Sequence, residues 1–153
     1  MKLIPLSVAI LIASSAFAQA PSSAQPPILE RLCGKLEHAQ DLPVKGEPTT
    51  IVTKYQNLRH APVSLYPAVE NGQWSDGATP IVTATTGHWG SFQLKTKQLP
   101  GGLYWLQVEP DGRKYRMLVR YAPKRFPDQL CTQTVWEVND AGGFRKVALI
   151  SVD

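Results

Sequence analysis

Histidine and cysteine are the scarce residues here, three and two in 153 positions, and their scarcity rules out much chemistry. His38, His60 and His88 each stand alone, with no His-x-His or His-Glu-x-x-His spacing, so no metal-binding motif is present and no metal or cofactor is expected. Cys33 and Cys131 lie too far apart in sequence for a redox Cys-x-x-Cys. No Gly-x-Ser-x-Gly elbow offers an activated serine. The Asp-Gly pairs at Asp76 and Asp111 lack the repeated oxygen ligands of a calcium loop and read as turns. The one long apolar run, Leu3 to Ala13, is too short to span a bilayer. Helical periodicity is missing as well, persisting nowhere for more than about two turns.

That apolar run has a different use. Lys2 precedes it, and Ala16-Phe17-Ala18 follows as a small-x-small cleavage site, so residues 1–18 read as a signal peptide. A cut after Ala20 would leave Pro21 next to the scissile bond, which favours Ala18. A periplasmic or secreted protein is therefore expected, with no transmembrane span once processed. Nucleic acid is not an expected partner for such a protein. Residues 19–31, rich in Ala, Pro, Ser and Gln, read as a flexible lead-in, and 32–153 as a single domain. In an oxidising compartment an isolated pair of cysteines is most simply one disulfide, Cys33–Cys131. The formal net charge of +4 is a mild pull toward anionic surfaces.

Beyond the lead-in, short apolar-alternating runs are broken by proline, glycine and Asn/Asp. Strands are expected at Leu32–Glu37, Pro62–Tyr66, Ile81–Thr86, Ser91–Lys97, Leu103–Glu109, Lys114–Tyr121, Thr132–Val138 and Phe144–Val152. Thr50–Tyr55 is β-branched and reads as another strand or an ordered loop. Seven or eight short strands at this spacing predict an all-β, immunoglobulin-like or transthyretin-like sandwich.

Three stretches carry a family resemblance. They are Cys33-Gly34-Lys35-Leu36-Glu37, Leu58 through Leu65, and Thr85 through Leu94 followed by Leu99-Pro100-Gly101-Gly102-Leu103-Tyr104-Trp105-Leu106-Gln107-Val108. Together they resemble the carboxypeptidase regulatory-like, or transthyretin-like, domains, in which a Gly turn, an inward Phe, a Leu-Pro-Gly turn and a Tyr-x-Leu-x-Val strand recur. Residues 38–57 stand as an insertion relative to that pattern. The resemblance implies a sandwich that folds, docks or binds beside other proteins. The hydrolase branch of that fold closes on Tyr-Arg-Gly-Ser, whereas this sequence ends Leu149-Ile150-Ser151-Val152-Asp153.

The residues that invite a function are aromatic. If Tyr104, Leu106 and Val108 face the core, Trp105 faces out, and the next strand sets Arg116 and Arg120 on that outer face. Trp74 and Trp89 fall in loops, while Trp136 alternates with Thr134 and Val138 as a core residue. A tryptophan beside arginines suits stacking on a sugar ring or docking a protein. The expectation is a non-enzymatic module that binds an envelope protein or glycan through Trp105, Arg116, Arg120, Trp89 and Trp74. The alternative is a small exported hydrolase using loop residues near His88.

Overall fold

The computed structural model describes residues 25–148. The signal peptide expected at 1–18 and the part of the expected Phe144–Val152 strand beyond residue 148 lie outside them.

Among the described residues ten strands form two sheets. In chain order they are β1 (Ile28–Leu29), β2 (Cys33–Val44), β3 (Glu47–Asn57), β4 (Pro62–Pro67) and β5 (Val82–Thr85), then β6 (Ser91–Gln93), β7 (Gly102–Val108), β8 (Tyr115–Tyr121), β9 (Thr134–Asn139) and β10 (Phe144–Ala148). The first sheet runs β1-β8-β7-β4-β5; the second runs β10-β9-β2-β3, with β6 also paired to β2. β1 runs parallel to β8 and β2 parallel to β9, and the remaining pairs are antiparallel. The inner faces supply one core: Val63, Leu65, Tyr104, Leu106, Val108, Tyr115 and Val119 from the first sheet meet Leu36, Phe92, Trp136 and Val138 from the second. Alternation along each strand produces this arrangement, because successive side chains point to opposite faces.

The chain is thus the expected all-β sandwich-like fold with the expected disulfide, but with ten strands where seven or eight were read. Two segments account for the difference. The lead-in contains a strand: β1 pairs with β8, and Leu29, 3% exposed, is part of the core, so the ordered domain begins before residue 32. Its apolar Ile-Leu step was outweighed by the prolines around it. Residues 38–57 are the second case. They are no loop; they complete β2 and form β3, a hairpin turning at Lys45-Gly46 with Gly46 at φ +88°. In the other direction, β6 ends at Gln93 rather than Lys97, although Leu94 N–H still reaches the Leu32 carbonyl at 2.7 Å.

Cys33 at the start of β2 is bonded to Cys131, in a short turn of 3-10 helix before β9, with Cα atoms 5.3 Å apart. The bridge pins the segment entering the second sheet to the start of β2.

Candidate functional site

The outer face of the first sheet is built by the odd residues of β7 and the even residues of β8. Trp105 lies opposite Leu118 on β8 and Tyr66 on β4, while Gln107 lies opposite Arg116 and Ser64. Six side chains of different chemistry are thereby set side by side with their backbones fixed by the ladder.

The segment between β4 and β5 then folds back over this face. Asn71 and Gly72 turn it with positive φ, 68° and 70°, and Gly72 is pressed so close to Leu118 that a Cβ would stand 2.8 Å from Cδ2. Two residues on, Trp74 lands on the sheet. Its ring meets Tyr66 edge-on at 5.0 Å and Trp105 edge-on at 6.0 Å, both favourable aromatic geometries. The Arg116 guanidinium lies 4.1 Å from the Trp74 ring centroid, a cation–π contact. Arg116 Nε also donates to Gln107 Oε1 at 2.8 Å, and Gln107 Nε2 donates to the Tyr66 hydroxyl at 3.5 Å. Trp74 Nε1 donates to Asp76 Oδ1 at 3.0 Å. Among the described residues Arg116 makes no ion pair.

Of the five residues expected to bind, Trp74, Trp105 and Arg116 therefore come together. Trp105 reaches the outer face as alternation demanded, but it is half-buried beneath Trp74, and its indole N–H is buried without a partner. What solvent meets is Arg116 with the partly covered Trp74 and Tyr66. Arg120 shares the face but sits opposite Leu103 and beside Ile28, apart from the Trp74 contacts. Trp89 is elsewhere, 68% exposed in the turn before β6, its ring edge-on to His88 at 4.9 Å. Sequence reading missed Tyr66, Gln107 and Asp76. Tyr66 and Gln107 lie on the outward register of their strands, so alternation could have found both; the Asp76 contact depends on loop geometry that no periodicity encodes.

A second cluster lies at one end of the sandwich. His38 Nε2 and Asp140 Oδ1 are 2.8 Å apart, and Arg113 donates to the Asp140 carbonyl at 2.9 Å while lying over the Tyr115 ring. They border a cavity of about 470 Å³ that Asp111, Gln40 and Gln56 also line. His38 and Asp140 are 102 residues apart, which is why the pair was invisible in sequence. Among the described residues no group of three or more His, Cys, Asp or Glu side chains could hold a metal ion, and no helix is long and apolar enough to cross a membrane.

No family model, curated protein or solved structure matches this chain.

Proposed function

We propose that this chain is an exported, non-enzymatic binding module, periplasmic or secreted, that docks an envelope glycan or an envelope protein through the outer face of its first sheet. The observation that carries the reading is Arg116 lying over Trp74. A guanidinium with free N–H groups beside two aromatic rings offers stacking to a sugar ring and charge to an acidic group. Tyr66 and Gln107 hold that pair in place, so little ordering is left to be done on binding. The transthyretin-like resemblance and the disulfide both fit a small accessory domain working in an oxidising compartment.

The test is retention of the exported protein on insoluble envelope polysaccharide, alongside capture from an envelope extract with mass spectrometry. Arg116→Ala should lose most retention while its thermal midpoint stays close to the parent. Retention by Arg116→Ala equal to the parent would reject this face.

A second reading, a small hydrolase, draws on the His38–Asp140 pair rather than on His88, which is exposed beside Trp89. A carboxylate can orient a histidine to activate water. Asp140 is 71% exposed, so solvent screens its hold on His38, which makes this the lesser reading.

A further inference from the structure

β9 extends only as far as Asn139, opposite Ala39, so, among the described residues, positions 40–54 of the β2–β3 hairpin pair with nothing but each other. This projecting ribbon is unexpectedly apolar. Ile51 is 64% exposed, Val52 55% and Tyr55 52%, and Leu42 is exposed opposite Val52. Strand edges left open are ordinarily kept short or heavily charged, because a row of free N–H and C=O groups recruits other strands. β3 spans 11 residues and, among the described residues, has a neighbour on one side only.

The hydrogen-bond parity of that edge can be read directly. Leu58 N–H donates to the Leu36 carbonyl at 3.0 Å, and this pair lies in the same register as Glu37 opposite Asn57. Pro43, opposite Ile51, has no N–H to exchange. Both facts put the bonded pairs at even positions, such as Leu42 with Val52. The backbone N–H and C=O groups of Ile51, Thr53 and Tyr55 therefore point away from β2, to the open edge.

We propose that this edge pairs antiparallel with β3 of a second copy of the chain, about a two-fold axis through Thr53. The pattern of side chains is self-complementary in that register. Ile51 and Tyr55 stand two residues either side of Thr53, so each meets the other's counterpart, an aromatic on a β-branched residue, twice over. On the opposite face Val52 meets Lys54 of the second copy, whose alkyl stem can cover it. An unrelated strand would have no reason to match this palindrome. The result is a continuous sheet running β10-β9-β2-β3 and out again through the second copy in reverse order, an isologous dimer. The inference is independent of the Trp74 surface, which lies on the other sheet.

The test is the mass of the oxidised exported chain by analytical ultracentrifugation, with residue-resolved amide exchange. The expected result is a particle of twice the chain mass, with amides of Ile51, Thr53 and Tyr55 at least about tenfold slower than in a monomeric variant. Thr53→Pro removes the outward N–H at the axis without touching a backbone bond to β2, at the loss of the exposed Thr53 Oγ1–Asp41 side-chain bond, and edge strands tolerate such a proline; it should yield a folded monomer. Tyr55→Lys removes the aromatic from both Tyr55–Ile51 pairs and sets an ammonium group against Ile51 of the second copy, so it should do the same, which keeps the test decisive if the proline variant fails to fold. A wild-type monomer at high micromolar concentration overturns the proposal. So does a dimer that survives Tyr55→Lys or leaves those three amides unprotected.

Discussion

Trp105 shows how much one residue's neighbours decide. Strand alternation sends it away from the core, where it could have been an exposed anchor; Trp74, arriving from a loop, turns it into the floor of a surface instead. Its role is then packing beneath the site. Trp105→Ala should lower stability by about 2–3 kcal/mol, less than a fully buried tryptophan loses, because half of the ring's surroundings can relax. Chemical denaturation measures this, and a midpoint unchanged from the parent would return Trp105 to the role of an open anchor. The unpaired indole N–H beneath Trp74 takes something off the favourable contact, since a buried donor without a partner has a desolvation cost.

At the scale of elements, the loop after β8 is held by one carboxylate. Glu30, next to β1, accepts from Lys124 Nζ at 2.7 Å and from the backbone N–H groups of Asp128 and Gln129 at 2.7 and 3.3 Å. The Lys124 contact does most to hold the Glu30 carboxyl below the usual carboxylate range; burial opposes it, and the two N–H groups add to the lowering. A carboxyl whose pKa is lower folded than unfolded stabilises the fold fully above its unfolded value. That contribution disappears as pH falls through the folded value. The thermal midpoint should accordingly drop on acidification below about pH 4.5, with the loop after β8 loosening. Glu30→Gln should be less stable at neutral pH and show a shallower acid decline; parallel pH profiles for the two proteins would show that Glu30 does not anchor the loop. The β2–β3 hairpin is the other element of interest. Pro43 sits in β2 at a position from which no ladder N–H is required, so the strand passes through it.

For the whole molecule, the disulfide ties together residues 98 apart, nearly the full length of the domain. Closing so long a loop in the unfolded chain is worth on the order of 4 kcal/mol in the chain-entropy model. Replacing both Cys33 and Cys131 with serine should lower unfolding free energy by roughly that amount. Urea unfolding of oxidised parent and variant gives the number, and coincident curves would show that the rest of the core suffices. Reduction of the parent should reproduce the variant's curve.

The sequence by itself determined the fold class, the disulfide partners, most strand positions and which face each residue of β7 and β8 takes, because a period of two and turn chemistry are local properties. Trp136 in the core and Arg116 on Trp105's side of the sheet follow from the same rule. Only the tertiary structure decided what covers what. Trp74 over Trp105, Asp140 beside His38 and the strand within the lead-in each depend on segments distant in sequence, and alternation carries no information about partners. The ribbon of β2 and β3 lay between these cases. Its β-branched residues were visible, but whether they formed a paired strand or a loop depended on a neighbour that only the folded chain supplies.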